Sequence, residues 1–101
     1  MKSIITKDLK TCYNCGRVDS STTKIEIHHC IHGTAGRKLA TQYHLVVGLC
    51  SDCHRGTNGV HGKNGHELDL ALKRTAQEAW ENKYGDREKF IQTFGRSYII
   101  D

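Results

Sequence analysis

Two C-x-x-C pairs, CYNC at Cys12 and Cys15 and CSDC at Cys50 and Cys53, constrain what this chain can fold into more than any other feature. Two such pairs match the ligand count of a tetrahedral four-cysteine zinc site. The N-terminal stretch MKSIITKDLK lacks the apolar h-region of a secretion signal, so a cytoplasmic location is expected, where thiolates bind metal rather than pair as disulfides. Gly16 follows Cys15 directly and suits a knuckle turn that needs positive φ. Cys30 is left over and reads as a small buried hydrophobe. A metal staple also answers a shortage: a chain of 101 residues with 37% hydrophobic residues has little material for a core at a size where burial is limited. The length corresponds to a single domain, residues 1–101, and no run of about 18 apolar residues exists to cross a membrane.

The zinc would close a long loop between Cys15 and Cys50. Inside it, TKIEIHHC alternates Ile25 and Ile27 with Lys24 and Glu26, the period-2 pattern of a half-buried strand. A second strand is expected over YHLVVGLC, Tyr43 to Cys50, delivering its last residue to the metal. The intervening IHGTAGRKLATQ, with two glycines and two basic residues, reads as an exposed positive loop. After Cys53, HRGTNGVHGKNGH is too glycine-rich for one regular helix and reads as a single helical turn followed by a loop. From Glu67 to Tyr84, Leu68, Leu72, Ala76, Ala79 and Trp80 recur at helical spacing, which predicts an amphipathic helix. Gly85 is its candidate C-cap, Asp86 a candidate N-cap for a second helix over REKFIQTF, and Gly95 its stop. RSYIID would pack back or add a short strand, and Trp80, Phe90, Ile91 and Phe94 read as core. The expected organisation is a zinc knuckle and hairpin (11–53), a loop (54–66), a helical part (67–95) and a tail (96–101).

Charge and histidines gather in the first part. Residues 1–65 hold nine Lys or Arg against four Asp or Glu, whereas residues 66–101 hold six against seven. A cationic surface around a cleft concentrates phosphate-bearing ligands, although charge alone is equally consistent with an ordinary solvated face. Of the seven histidines, His28, His29, His54 and His61 flank the cysteine framework. Three imidazoles can hold a divalent ion with coordination positions open, and a fourth, unligated one suits general-base work near neutral pH.

A strand with paired HH, a second strand, and then CxxCH with a later histidine resemble the HNH endonucleases, whose ββα-metal core is often braced by a four-cysteine zinc. The strings CHRGTNGVHG, ELDLALKRTAQEAWENKYG and REKFIQTFG are also similar to a small group of phage-encoded HNH-like proteins, and more distantly to phage recombination-enhancement nucleases that act with RecA. The resemblance covers roughly Thr11 to Tyr98. It implies an α+β fold: a small zinc-stabilised ββα-metal core, treble-clef-like, with a β-hairpin followed by two C-terminal helices.

Carried over residue by residue, the resemblance places His29 at the general base and His28, His54 and His61 at the catalytic metal, which could be Mg²⁺, Mn²⁺, Ni²⁺ or Zn²⁺. Cys12, Cys15, Cys50 and Cys53 would hold the structural Zn²⁺. The family commonly spaces its last two ligands as H-x3-H on one helix, whereas His54 and His61 stand as H-x6-H, so the last ligand must come from a loop, with His66 or Asn58 as substitutes. His44 is the nearest candidate for the base-orienting asparagine. Adjacent strand residues point to opposite faces, so a bend or bulge is expected to bring His28 and His29 to one site. Arg37, Lys38, Arg55 and Lys63 would hold the DNA backbone. The implied activity is metal-dependent hydrolysis of DNA phosphodiester bonds in a phage or prophage setting, in the bacterial cytoplasm, with a recombination or replication protein as a further partner. The alternative is a noncatalytic zinc module that binds DNA or protein on the same scaffold.

Overall fold

The computed structural model describes residues 1–100. The elements run β1 (Ile25–His29), α1 (Thr34–Tyr43), β2 (Val46–Cys50), α2 (Ser51–Arg55), α3 (His66–Lys83) and α4 (Arg87–Phe94). This is a small α+β fold built on one antiparallel strand pair.

β1 and β2 pair in continuous register from Ile25 opposite Cys50 to His29 opposite Val46, with no bulge. β2 is buried along its whole length, consistent with its unbroken apolar run. The N-terminal segment crosses it so closely that a Cβ on Gly48 would lie 2.6 Å from the Leu9 carbonyl oxygen. The Tyr13 N–H donates to the Gly48 carbonyl at 2.8 Å. The knuckle is thereby attached to the sheet by backbone contacts as well as by its cysteines.

The connection between the strands differs from the expected exposed loop. Residues Thr34–Tyr43 form α1, and β2 starts at Val46 rather than at Tyr43. Gly33 and Gly36 suggested a loop, yet Gly33 stands outside the helix at φ 84°. Ala40 and Tyr43 stand at helical spacing and turn inward against the core, with Ala40 fully buried. Burial of that stripe outweighs the cost of one internal glycine, about 1 kcal/mol. The helix ends on His44, at φ 59°, while the Leu45 N–H donates to the Ala40 carbonyl at 2.8 Å. His44 thus fills the left-handed position usually taken by glycine.

The single helical turn expected after Cys53 begins earlier, as α2 over Ser51–Arg55. The chain then coils on itself with Gly56, Gly59, Gly62 and Gly65 at three-residue intervals. Each N–H of Gly59, Gly62 and Gly65 donates to the carbonyl of the glycine before it, at 2.9, 2.8 and 3.2 Å. A Cβ on Gly62 would overlap the Gly56 carbonyl, and one on Gly65 the Gly59 carbonyl. Only glycine permits this closeness. The coil returns the chain to α2: Val60 N–H donates to the Cys53 carbonyl at 2.9 Å and His61 N–H to the His54 carbonyl at 3.0 Å.

α3 and α4 match the amphipathic readings closely. Leu72, Ala76 and Trp80 face inward, and Trp80 stacks edge-on against Phe90 and Phe94 at ring separations of 5.5 and 5.8 Å. Ile91 is exposed, not core as expected, because it lies on the outer face of α4. Asp86 caps α4 by accepting from the Lys89 N–H at 2.9 Å, and Gly95 ends it at φ 92°. α3 ends at Lys83, with Tyr84 as its C-cap, one residue before the expected Gly85. The tail packs back without forming a strand: buried Gln77 accepts from the Tyr98 N–H at 2.7 Å. Cys30 is fully buried in the core, where desolvation pushes its thiol up to about 12.

Replacing Gly65 by alanine should lower stability by about 1–3 kcal/mol, the usual cost of forced overpacking, measured as a shift in the urea midpoint. An unchanged midpoint would contradict the close packing of the glycine coil.

Candidate metal centres

Cys12 and Cys15 flank a tight knuckle: Cys12 N–H donates to the Arg17 carbonyl at 2.7 Å and Gly16 N–H to the Cys12 carbonyl at 2.9 Å. Gly16 takes the expected positive φ, 84°. Cys50 closes β2 and Cys53 lies in α2, so the hairpin and the following turn supply the other pair. The four sulfurs all lie within 4.8 Å of one another, and Cys15 Sγ stands 3.7 Å from Cys50 Sγ. A tetrahedron with Zn–S bonds of about 2.3 Å has edges of about 3.8 Å, whereas a disulfide needs about 2.05 Å. The cluster therefore could hold a structural metal such as zinc. Burial raises the Cys12 thiol, but N–H groups of Cys15, Cys50 and Asn14 outweigh it and bring it down to about 6, toward the thiolate that a metal requires, whereas burial pushes Cys53 up to about 12. The Asn14 amide adds a 3.3 Å contact to Cys53 Sγ.

A second cluster stands beside the first. His28 comes from β1, His54 from α2 and His61 from the glycine coil, and their ligand nitrogens also lie within 4.8 Å of one another, close enough that they could hold a metal ion. Ring separations are 5.1 Å for His28 and His54, 5.3 Å for His28 and His61, and 4.9 Å for His54 and His61. The H-x6-H spacing is bridged by the coil, which hydrogen-bonds His61 back onto His54. His66 and Asn58 are absent from the cluster and from the cavity it lines.

His28 is 1% exposed and its Nε2 has no hydrogen-bonding partner. Burial, together with the neighbouring His54, His61 and His32, brings its pKa down to about 3. A buried neutral imidazole with a free nitrogen is an apt metal ligand. His61 is lowered for the same leading reason, burial, followed by His54 and His32.

Three residues that sequence reasoning did not single out complete the surroundings. Glu26 Oε1 lies 2.8 Å from His54 Nδ1, so it can accept a hydrogen bond from Nδ1–H and leave Nε2 for the cluster. Its signal was the strand period, since Glu26 and His28 share one face of β1. Glu26 also pairs with Arg55, and the His54 bond followed by the Arg55 contacts holds its carboxyl below the usual range. His32, the third histidine of HHCIH, has its ring 5.4 Å from that of His61 and places Nε2 2.8 Å from Asp69 Oδ1. Asp69 in turn bonds Lys73 at 2.8 Å; no local pattern marked its approach from α3.

A cavity of about 470 Å³ is lined by His28, His29, His32, His54 and His61 with Ile27, Gly33, Thr34 and Arg37. No bulge is needed for His28 and His29 to meet it. β1 pairs only with β2, and the cavity takes residues from both faces of β1, so it straddles the strand instead of lying on one face. Burial and then the charge of Arg37 lower the pKa of His29. His44 lies apart, at the end of α1 in a separate depression with Met1, Lys2, Thr41 and Val46. Of the expected phosphate-holding residues, Arg37 lines the cavity and Lys38 the adjoining groove. The Arg55 side chain is turned to Glu26, and Lys63 is exposed on the coil outside the cavity.

Two outcomes are expected. Cys12→Ser or Cys53→Ser should lose the sulfur-bound ion and unfold globally, since structural zinc binding in small domains is worth roughly 10–16 kcal/mol; an intact thermal transition with less than one sulfur-bound ion would contradict this. Glu26→Ala should weaken divalent-ion binding at the histidines by about 10–100-fold, measured by calorimetric titration with Ni²⁺, and unaltered affinity would remove Glu26 from the site. Comparison with known proteins finds no family model, no curated protein and no solved structure that matches this chain.

Proposed function

We propose that this chain is a metal-dependent endonuclease of the HNH type, hydrolysing DNA phosphodiester bonds in a phage or prophage setting, in the bacterial cytoplasm, with a recombination or replication protein as a further partner. The observation that carries the reading is the gathering of His28, His54 and His61 from three separate elements in one cavity with His29, apart from the four cysteines. A divalent ion held by the three imidazoles would polarise the scissile phosphate and stabilise the leaving oxygen.

The chain's own residues supply the remainder. His29, kept neutral by partial burial and by Arg37, takes the proton of the attacking water. Glu26 fixes the ring of His54 through the 2.8 Å contact at Nδ1. Arg37 offers a guanidinium to the backbone, a sequence-independent task. One observation favours the noncatalytic alternative, a zinc module that binds DNA or protein: among the described residues, no side chain hydrogen-bonds His29 to fix its ring, and His44, expected in that role, lines another depression.

Adjacent substitutions should fail differently. His29→Ala should keep the histidine-bound ion and DNA affinity while losing roughly 10²- to 10⁴-fold in cleavage rate. His28→Ala should lose ion and cleavage together, and both should stay folded on the cysteine cluster. Metal analysis beside single-turnover cleavage of labelled duplex, single-stranded and branched DNA with Mg²⁺, Mn²⁺, Ni²⁺ and Zn²⁺ checks this. Loss of the ion in His29→Ala but not in His28→Ala would exchange the two roles, and no cleavage by the unaltered chain with any ion would leave the binding module.

A further inference from the structure

The helix found where a loop was expected opens onto the imidazole cavity. α1 has ten residues, no side-chain cap and no acidic residue in its first turn. Its first intrahelical bond is Arg37 N–H to the Gly33 carbonyl at 2.9 Å. The N–H groups of Thr34, Ala35 and Gly36 therefore find no acceptor among the described residues. Gly33 and Thr34 line the same cavity as His28, whose buried Nε2 is itself without a partner. Unsatisfied donors at a helix N-terminus, reinforced by the helix dipole, favour an anion. The orphaned imidazole nitrogen is an independent sign that this cavity is built to be filled.

A second depression, about 490 Å³, is lined by Thr34, Arg37, Lys38 and Thr41 and shares Thr34 and Arg37 with the first. These four residues stand at i, i+3, i+4 and i+7, one face of α1. The face carries two cations and two hydroxyls and no carboxylate. Arg37 is exposed on this face and lines both depressions.

We propose that α1 is the phosphate-binding element: its open N-terminus seats one DNA phosphate beside the imidazoles, and its Thr34–Arg37–Lys38–Thr41 face carries the adjoining backbone away from them. This deepens the endonuclease reading and rests on it for the identity of the polymer. The contacts are to phosphate, so they set register without reading sequence.

The test is fluorescence anisotropy with labelled DNA duplex and single strand, using the full chain at low salt with no added divalent ion. Thr34→Pro removes one N–H at the first helical position, where proline is tolerated, and should weaken binding on the order of tenfold, as loss of a charge-assisted hydrogen bond does. Thr34→Glu puts a carboxylate at the mouth and should weaken it by about tenfold or more, with the thermal transition unchanged or raised because acids suit a helix N-terminus. Lys38→Ala should flatten the double-logarithmic salt slope by about 0.7–0.9. Thr34→Pro with helicity retained but unaltered affinity overturns the proposal, as does failure of the unaltered chain to bind DNA at low salt. Binding that depends on Thr34 without cleavage in any metal sinks the endonuclease reading and leaves the subsite standing. Cleavage that proceeds equally in the Thr34 variants sinks the subsite alone.

Discussion

Four sulfurs within 4.8 Å of one another are the constraint on which the rest of this small structure depends. They come from the N-terminal knuckle and, 35 residues further along, from the junction of β2 and α2. A metal held at this tetrahedral rather than disulfide separation would draw those segments to one point. The core between the strand pair and α3 is then closed by a short list of side chains, among them Leu45, Leu49, Leu72, Trp80 and Phe90.

The second cluster takes its geometry from the first. Cys53 and His54 are neighbours in α2, so the residue that joins the sulfurs sets the position of the next one among the imidazoles. β1 contributes Glu26 and His28 from a single face, and the glycine coil, also bonded to Cys53 through Val60, returns His61. Crowding three imidazoles and burying one of them disfavours protonation, as the lowered pKa values of His28 and His61 indicate. Neutral rings with a free nitrogen are the state that coordinates a metal. Glu26 and Asp69 supply carboxylates behind His54 and His32, a supporting layer that fixes ring orientation.

Much of this was legible in the sequence where one local rule decides the outcome. Cysteine spacing identified the sulfur cluster, period-2 alternation identified β1, and the helical stripe with Asp86 and Gly95 identified α3 and α4. The failures share a cause, tertiary context. α1 was hidden because its glycines looked like loop residues until Ala40 and Tyr43 were seen to pack inward. His44 reads as a polar strand residue, but it is the left-handed end of α1 and lines a different depression. The glycine run after Cys53 reads as a helical turn followed by a loop, whereas close backbone packing makes it the compact link between His54 and His61. Asp69 approaches His32 from another element, and no local pattern carries such a contact.

Under the proposed function, this short chain would carry two separate metal centres of different chemistry side by side. The most direct measurement is X-ray absorption at the metal edge with total metal analysis, on protein loaded first with zinc and then with nickel. The account predicts two ions per chain, zinc with a shell of four sulfurs near 2.3 Å and nickel with a nitrogen and oxygen shell that lacks sulfur. A single ion per chain, or a second ion bound through sulfur, would contradict it.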